Sequence, residues 1–540
     1  MTRTKPMTRT YRNPILGGFY PDPSICRVDS DFYLVNSTFA YFPGIPVFHS
    51  RDLLNWKQIG NAIDRPGQIC FDGHHVSLGL FAPTIRHHQG IFYILCTLVS
   101  TGGNFIITAQ DPAGPWSDPF WLSGAPGIDP SIMFDNDGRV WFTGTRGAPE
   151  GEAFPGDCEI YVQEMNLSLL ADGKNPLIGE QTGIWRGALH NSVWAEGPHI
   201  YKIRDWYYLL YAEGGTGRDH AVCVARAKKI CGPWEGKKSN PLLTHRYLGK
   251  NAEIVNTGHA DIVDDPEGNW WMVLLASRPF NKVCPLGRET FMVPISWEDG
   301  WPWIASKTGL IEWEYPLPRF PNSSATIEWS PECACDQFDT KLPLHWLMLR
   351  MPMQEKDIAL SLTDRPGALR LFTRAATMRG KDHPAFAGRR LRHKNWAFSA
   401  AIQFTPKTAG EAAGIILFQN EDWQYRFEIC LDNSGRPSLH FAQTTGGLEF
   451  VTVRECPEID LKSPEAQVVL AARCDEMELT FFYGKEPHSL KHFTGEVDAR
   501  PLSTEYAGGF VGTLAGVFAS GNGKSTENYA DVLWAEYKSL

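Results

Sequence analysis

Residues 22–38 read DPSICRVDSDFYLVNST, and four later segments within the first three hundred residues follow the same plan. Each begins with a short element that combines a polar residue, a proline or small residue and an isoleucine. It then passes through a turn rich in Asp, Gly or His and continues into an aromatic strand. The later copies begin at residues 82, 129, 196 and 259 and read APTIRHHQGIFYILCT, DPSIMFDNDGRVWFTGT, EGPHIYKIRDWYYLLYA and HADIVDDPEGNWWMVLLAS.

This repeat predicts a ring of β-sheets. In each copy two runs of β-branched and aromatic residues flank a short turn such as DNDG, a pattern typical of a hairpin. Further strand-like runs such as NFIITAQ lie between the copies, so each unit supplies roughly four strands, as a propeller blade requires. The copies are too unevenly spaced for a solenoid, and scarce helical periodicity argues against an α/β barrel. We therefore expect a five-bladed β-propeller over residues 11–314.

The pattern changes after the propeller. Residues 315–332 are rich in Pro, Ser and Asn, which indicates an extended linker over residues 315–334. From residue 335 to residue 540 the alternation of apolar and polar residues predicts a β-sandwich of the concanavalin-like or jelly-roll kind. The predicted fold class is therefore all-β, with the propeller followed by a sandwich that closes the active site.

Composition narrows the class of ligand. The 540 residues carry 51 Lys and Arg against 61 Asp and Glu, a net charge of −10, which argues against nucleic acid or an anionic membrane as partner. The 19 tryptophans suit a protein that stacks on the flat faces of sugars. Residues 1–14, MTRTKPMTRTYRNP, contain no apolar stretch, so the sequence predicts a cytoplasmic protein without a signal or membrane helix.

In a propeller the innermost strands of all blades meet at the axis, so equivalent repeat positions converge on one pocket. Here those positions are occupied by Asp22, Ala82, Asp129, Glu196 and His259. Paired carboxylates are what glycoside hydrolysis needs, one to protonate the leaving oxygen and one to activate water or attack the sugar. An isolated Asp-Pro often does no more than form a turn. Three acidic residues at equivalent repeat positions instead favour a catalytic role. The apolar approach to Glu196 is expected to raise its pKa.

Several motifs also resemble glycoside hydrolase family 43, specifically its two-domain β-xylosidases. The resemblance covers residues 11–304 strongly and the C-terminal part more loosely. It rests on NPILGGFYPDPSI, GIDPSI, WAEGPHI, GHADIV, LGRETFMVPISWEDGWP and GGFVGTLAGVFASGNGKS. It implies that Asp22 is the general base, Asp129 the residue that orients and tunes the acid, and Glu196 the general acid. Members of that family are inverting, which requires about 6.5–9.5 Å between the carboxyl groups of base and acid.

The same resemblance implies substrate-binding residues. His259 matches a histidine near the propeller centre, with a satisfied core histidine as the alternative interpretation. Arg288 matches an arginine that binds sugar hydroxyls, with an ion pair to Glu289 or another surface acid as the alternative. Phe39 and Phe81 match positions of the pocket wall, although many members have Trp at the latter. Phe510 matches the residue with which the sandwich closes the pocket.

The predicted reaction requires no cofactor, although the resemblance to family 43 allows a divalent cation such as calcium near His259. No HExxH or paired CxxC motif supports a zinc site. The adjacent pairs His74–His75 and His87–His88 are interpreted as solvated or loop residues, since neighbours on a strand point to opposite faces.

The sequence thus predicts an exo-acting inverting hydrolase that releases xylose from the non-reducing ends of β-1,4-xylo-oligosaccharides. An α-L-arabinofuranosidase, or an enzyme with both activities, is the nearest alternative, because the two pentoses present similar hydroxyl patterns. A third hypothesis is a non-catalytic carbohydrate-binding propeller. It is disfavoured because a protein that only binds sugar needs no acid facing a base. A homo-oligomer is compatible with all three.

Overall fold

The computed structural model describes residues 10–304, 307–318, 334–350, 359–454, 461, 463 and 466–540. The predicted linker falls mostly on residues 319–333, which lie outside the described residues. The two helices among the described residues are single turns, Ser168–Ala171 and Thr504–Ala507. All other regular elements are strands, so the all-β prediction is confirmed.

The N-terminal part consists of five antiparallel sheets, one for each copy of the repeat, and we number them blades 1 to 5. In each list the strand nearest the axis comes first. Blade 1 contains Ser24–Val28, Asp31–Val35, Gly44–Ser50 and Lys57–Ile63. Blade 2 contains Thr84–His88, Ile91–Val99, Gly103–Ala109 and Phe120–Trp121, with Gly79–Leu80 paired to its second strand. Blade 3 contains Ile128–Phe134, Val140–Gly147, Cys158–Met165 and Leu177–Trp185.

The remaining two blades follow the same order. Blade 4 contains Glu196–Ile203, Trp206–Glu213, Ala221–Ala227 and Trp234–Gly236, with Leu243–Thr244 paired to its third strand. Blade 5 contains Val255–Asp264, Trp270–Ser277, Glu289–Glu298 and Trp301–Ile304. Every innermost strand begins at the repeated element or within a few residues of it. The five-bladed propeller is therefore confirmed.

The turns within the repeat show why the hairpins form. In blade 5 the carboxylate of Asp265 accepts hydrogen bonds from the backbone amides of Glu267 and Asn269 and from the indole of Trp271. Gly268 then adopts a φ of +81°, which reverses the chain without a steric penalty. The DNDG turn after the first strand of blade 3 is similar, since Asp135 accepts a hydrogen bond from the backbone amide of Asn136 and Gly138 has a φ of +87°.

A buried ion pair ties the inner strands together beneath the pocket. The carboxylate of Asp261, from blade 5, accepts hydrogen bonds from Arg86 of blade 2 at 2.8 Å and from Ser24 of blade 1 at 2.6 Å. The hydroxyl of Tyr201, from blade 4, donates to the same carboxylate. Because Arg86 supplies a partner charge, the burial of Asp261 is compensated and its pKa is lowered. This cluster fixes the relative positions of four blades.

Short backbone pairings join the residues before blade 1 to residues in and after blade 5. The strand Thr10–Arg12 pairs with Glu314–Pro316, with Tyr11 opposite Tyr315. Leu16 forms an isolated bridge to Thr290 in blade 5. The chain before the first blade is thus held by the last one, which brings the start of the propeller next to its end.

The C-terminal domain consists of two sheets that pack face to face around a large apolar cluster. One sheet contains, in order, Leu360–Ser361, Leu369–Phe372, Tyr529–Ser539, Trp396–Gln403, Gln467–Asp475, Glu478–Gly484 and Lys491–His492, with Ala334–Gln337 and Val497–Asp498 as side branches. The other contains Leu448–Arg454, Pro437–Thr445, Trp423–Leu431, Ala412–Asn420, Leu514–Ser520, Ala385–Arg390 and Trp346–Leu349.

The propeller adds one strand to the second of these sheets. Tyr41–Phe42, from a loop of blade 1, pairs with Trp346–Leu349. Around this junction lies a shared apolar cluster that buries, from the propeller, Phe19, Phe39, Tyr41 and Val76 and, from the sandwich, Leu347, Leu349, Phe386, Phe418 and Val511. Backbone pairing and a common core therefore bind the two domains together.

Polar groups also join the propeller to the sandwich, and their positions correct the prediction about the adjacent histidine pairs. His74 is buried, and its carbonyl accepts a hydrogen bond from Arg350 of the sandwich at 2.5 Å. His75 lies 3.0 Å from a carboxylate oxygen of Glu421, which also pairs with Arg350. His74 and His75 do lie in a loop, as one part of the prediction had it, but they are not simply solvated, because sequence spacing cannot reveal that a second domain covers this loop. His87 and His88 also differ from the prediction, since they are partly buried on the inner strand of blade 2.

Among the described residues, no helix is long and apolar enough to cross a membrane.

Candidate active site

A cavity of about 350 Å³ opens at the axis of the propeller, on the side where the repeated elements begin. All eight residues that the sequence predicted for the site line this cavity: Asp22, Phe39, Phe81, Asp129, Glu196, His259, Arg288 and Phe510. The structure thus brings together residues from blades 1, 2, 3, 4 and 5 and from the sandwich. Their roles in chemistry remain predictions.

Asp22 is a buried carboxylate that the fold keeps ionised. It precedes the inner strand of blade 1 with a φ of +51°, a left-handed conformation that Asp tolerates better than most residues. Its Oδ1 accepts a hydrogen bond from Arg288 at 2.8 Å, and its Oδ2 accepts one from Ser37 at 2.5 Å. Burial opposes ionisation, but the charges of Arg288 and His259 and the Ser37 hydroxyl outweigh it, so the pKa of Asp22 is lowered.

Asp129 occupies the equivalent place on blade 3. Its φ is +55°, and it lies in an irregularity of the strand between Ile128 and Ser131, where the ladder is interrupted. Its Oδ2 accepts a hydrogen bond of 3.0 Å from the backbone amide of Gly197. Burial and the nearby charge of Asp22 raise the pKa of Asp129, although His259 acts in the opposite direction. Because Gly197 follows Glu196 directly, this hydrogen bond couples Asp129 to the position of Glu196.

Glu196 begins the inner strand of blade 4, where the pairing with the next strand is again irregular. Its side chain is partly exposed to the cavity and otherwise enclosed by protein. Burial and the negative charges of Asp129 and Asp22 raise the pKa of Glu196 well above its ordinary value of 4.5. The surroundings of Glu196 and Asp22 thus shift their two pKa values in opposite directions, which favours the protonated form of Glu196 and the ionised form of Asp22.

His259 lines the cavity beside Asp22. Its Nδ1 is 4.0 Å from Oδ1 of Asp22. Its ring packs against Gly197, where an added Cβ would come within 3.0 Å of the imidazole, so only glycine leaves this space. Gly197 also has a φ of +58°, a second reason for glycine at that position.

The residues around His259 do not form a protein ligand set for a cation. In the part of the chain that the structure describes, no group of three or more His, Cys, Asp or Glu side chains is arranged to hold a metal. Calcium prefers six to eight oxygen ligands. The guanidinium of Arg288, already 2.8 Å from Asp22, competes for the oxygens that such an ion would need. We therefore derive no chemical step through a metal.

Arg288 connects three parts of the pocket. Besides Asp22, its Nη1 donates to the hydroxyl of Thr216 at 2.9 Å, and its Nη2 donates to the carbonyl of Phe510 at 3.3 Å. The alternative ion pair with Glu289 is excluded, because Glu289 instead binds Arg278 at 2.6 Å.

Three phenylalanines form an apolar wall beside these charges. The ring of Phe39 stacks on that of Phe510 with centroids 5.9 Å apart, and Phe81 meets both rings edge-on. Phe510 belongs to the sandwich, and its backbone amide donates to Ser77 of the propeller at 3.0 Å. The sandwich domain therefore supplies part of the pocket itself.

Five further residues line the cavity that were not predicted from the sequence, namely Ile128, Trp194, Gly215, Thr216 and His220. Nδ1 of the buried His220 lies 3.2 Å from the carbonyl of Asn256, whereas Nε2 has no hydrogen-bond partner in the described residues. Burial and the neighbouring His259 lower the pKa of His220 to about 3, so its ring is neutral. Trp194 could have been predicted as a pocket residue, because it lies within the WAEGPHI motif that contains Glu196. Thr216 and His220 lie in GGTGRDH, a glycine-rich loop without periodicity.

This geometry suits acid–base cleavage of a bond between two carbohydrate units. An arginine lowers the pKa of one buried carboxyl group, and burial together with like charges raises the pKa of another. Environments that drive two carboxyl pKa values apart are the usual way in which an enzyme assigns base and acid. The apolar wall adds a surface for a sugar ring.

The protein families that match this chain are consistent with the chemistry of the site. Residues 11–302 match the model of the glycosyl hydrolases family 43, and residues 335–538 match the β-xylosidase C-terminal concanavalin A-like domain. The second match confirms the predicted class of sandwich.

Relatives match over nearly the whole chain. A xylosidase/arabinosidase of Butyrivibrio fibrisolvens is 42% identical over 96% of this chain and 97% of its own. A non-reducing end α-L-arabinofuranosidase of Bacteroides ovatus is 37% identical over 98% and 95%. The crystal structure of a xylan β-1,4-xylosidase from Bacillus halodurans is 30% identical and superimposes with a TM-score of 0.87 over 98% of this chain and 100% of its own. The protein is therefore a glycoside hydrolase with a carbohydrate substrate, and the chain belongs to family 43 of the glycosyl hydrolases.

Proposed function

We propose that this protein is an exo-acting, inverting β-xylosidase that releases xylose from the non-reducing ends of β-1,4-xylo-oligosaccharides. The observation that carries the proposal is the placement of two carboxyl groups with opposite surroundings in one cavity of about 350 Å³: Asp22, which binds Arg288 and whose pKa is lowered, and Glu196, whose pKa is raised by burial and by its acidic neighbours. A cavity of this size lies at the small end of the range for ligand pockets and suits a single terminal sugar better than an internal chain segment.

In the proposed reaction a water molecule lies between Asp22 and the anomeric carbon of the terminal xylose. Asp22 takes a proton from this water as its oxygen bonds to the anomeric carbon. Glu196 gives its proton to the glycosidic oxygen, whose bond to that carbon breaks. The products are xylose with inverted configuration and a shortened oligosaccharide. Asp22 then returns its proton to solvent and Glu196 regains one, so the cycle consumes only water.

The other pocket residues hold the sugar and set these charges. Arg288 presents donors beside Asp22, and its planar fork suits two adjacent hydroxyls. Phe39 and Phe510 provide an apolar wall for one ring face. Asp129 accepts a hydrogen bond from the Gly197 amide and contributes negative charge that raises the pKa of Glu196.

We also propose α-L-arabinofuranosidase activity at the same pocket. It is supported by the names of two relatives, a xylosidase/arabinosidase that is 42% identical and an α-L-arabinofuranosidase that is 37% identical. Both sugars are pentoses, so one set of hydroxyl-binding groups serves either. A purely sugar-binding role is disfavoured, because burying three carboxylates at one site costs stability that binding alone would not require.

The test is hydrolysis of 4-nitrophenyl β-D-xylopyranoside and 4-nitrophenyl α-L-arabinofuranoside under one set of conditions. We expect release from both, with the larger kcat/KM on the xyloside, and the Asp22→Asn variant as the inactive control. A larger value on the arabinoside would reverse the order of the two activities. Binding of xylobiose without release from any substrate would leave only the carbohydrate-binding role.

A further inference from the structure

Trp194 is an exposed aromatic residue at the cavity that none of the proposed steps uses. Its side chain is a large apolar surface, yet 45% of the residue is accessible to solvent. Among the described tryptophans, Trp121 is similarly exposed at 39%, but it lies on the outer strand of blade 2 and does not line the cavity. A large apolar group at the mouth of a ligand cavity points to a binding surface.

The backbone holds Trp194 in a demanding conformation. Its φ is +54°, a region that bulky residues rarely occupy and that persists where the surroundings enforce it. The amide of Trp194 donates to the carbonyl of Gly156 at 2.8 Å. The preceding carbonyl, that of Val193, accepts from Gly214 at 2.8 Å. The segment is therefore anchored both to a loop of blade 3 and to a loop of blade 4.

Two glycines make room for the indole itself. An added Cβ at Gly156 would lie 2.8 Å from Cε2 of Trp194, and one at Gly215 would lie 3.1 Å from Cδ1. The ring thus lies directly against backbone on two sides while the rest remains open to solvent. Because a side chain at either position would displace the ring, the indole packs on the two glycine backbones, and this packing restricts its orientation before any ligand arrives, which reduces the entropy lost on binding.

The position of Trp194 relative to Glu196 indicates which part of the substrate it meets. Only the buried Ala195 separates the two residues, and both line the cavity. Glu196 protonates the glycosidic oxygen, which joins the terminal sugar to the next unit. The sugar that leaves must therefore lie on the side of the pocket where Glu196 and Trp194 are, whereas the wall formed by Phe39, Phe81 and Phe510 faces the terminal sugar.

We propose that Trp194 is the binding platform for the leaving-group sugar, a xylopyranose unit whose apolar C–H face stacks on the indole. This inference rests on the proposed function, because it takes Glu196 as the proton donor. Xylopyranose has no exocyclic hydroxymethyl group, so its ring can approach a flat aromatic surface closely. The platform gives a role to the solvent-exposed tryptophan beside the acid.

The test compares a substrate with a leaving-group sugar and one without. Xylobiose fills both positions, whereas β-D-xylopyranosyl fluoride leaves the second position empty. For Trp194→Ala we expect kcat/KM on xylobiose to fall about three- to tenfold, as for the loss of one aromatic stacking partner. On the fluoride we expect a change of less than about twofold. Trp194→Phe should recover most of the loss, and Trp121→Ala is the matched control for removing an exposed tryptophan elsewhere.

Equal losses on both substrates would overturn the proposal, since Trp194 would then act on the acid or the terminal sugar. Unchanged kinetics on both would overturn it as well. A wild-type protein that cleaves neither xylobiose nor the fluoride refutes the proposed xylosidase activity instead. The same comparison is then made with arabinofuranosyl-substituted xylobiose and α-L-arabinofuranosyl fluoride, where the leaving sugar is again xylopyranose and the same difference is expected.

Discussion

Oδ1 of Asp22, on the first blade, accepts a hydrogen bond of 2.8 Å from Nη1 of Arg288, on the fifth blade. The two residues are 266 positions apart in the sequence, and closure of the propeller brings them together. Since both side chains are buried, the positive charge of Arg288 acts in a medium that screens it weakly. The ionised state of Asp22, and with it the assignment of a base, depends on this contact.

Arg288→Ala should therefore change the pH profile as well as the rate. Without the guanidinium the pKa of Asp22 rises, so the acidic limb of kcat/KM moves to higher pH. We also expect a loss of about 10- to 100-fold at neutral pH, the effect of removing a charged hydrogen bond. Arg288→Lys keeps a positive charge beside Asp22. In this variant the pH of the acidic limb should return towards the wild-type value more fully than the size of kcat/KM does. An unshifted acidic limb in Arg288→Ala would contradict this account of the ionised Asp22.

Glu196→Gln should remove the acid and leave the base. We expect kcat/KM on xylobiose to fall about 10²- to 10⁴-fold, the usual contribution of a general acid. Substrates with a leaving group that needs no proton, such as 2,4-dinitrophenyl β-D-xylopyranoside, should be spared. The measurement is the ratio of kcat/KM between the two substrates in wild type and variant. An equal loss on both would count against Glu196 as the acid.

Asp129→Asn should lower the pH range in which the enzyme works. The negative charge of Asp129 helps to hold the pKa of Glu196 above its ordinary value, so a neutral side chain lets Glu196 ionise at lower pH. The alkaline limb of the kcat/KM profile should then move to more acidic pH. Asparagine can still accept the hydrogen bond from Gly197, so activity at pH 5 should fall less than activity at pH 7. An alkaline limb that stays in place would exclude this role.

The sandwich domain should be required for turnover. A chain that ends near residue 320 lacks Phe510 and exposes the apolar face around Tyr41 and Phe39. We expect it to fold poorly or to lose most activity. Phe510→Ala in the full-length chain is the milder variant, and it should raise KM on xylobiose while the melting temperature stays near that of wild type. A soluble, fully active propeller would show that the sandwich does not help to form the site.

The stereochemistry of the first product tests the role of Asp22. Blades 1 and 4 are not neighbours in the ring, so we expect room for a water molecule between Asp22 and Glu196. Attack by that water makes α-xylose the first product from a β-linked substrate. Proton NMR of the anomeric region in the first minutes would detect it before mutarotation. Asp22→Asn should stop turnover without trapping a covalent sugar, and an initial β-anomer would require a different nucleophile.

Much of the fold could be predicted because its signals are local. A hairpin needs alternating residues and a turn residue such as Asp265 within one short stretch, and the repeat provides this five times. The positions of Asp22, Asp129 and Glu196 followed from the same repeat, since equivalent strand ends of a closed ring must converge. Arg288, Phe39, Phe81 and Phe510 came from resemblance alone, because they lie outside the repeated element.

The sequence by itself determined the number of blades, the class of the second domain and the carboxylates that meet at the axis. Only the tertiary structure decided that Arg288 binds Asp22 and not Glu289, that His75 faces Glu421 across a domain contact, and that Trp194 stands open at the cavity. The physical reason is the range of the interactions. Strand periodicity is set by neighbouring residues, whereas a contact between loops of different blades exists only after the ring has closed and the sandwich has packed against it.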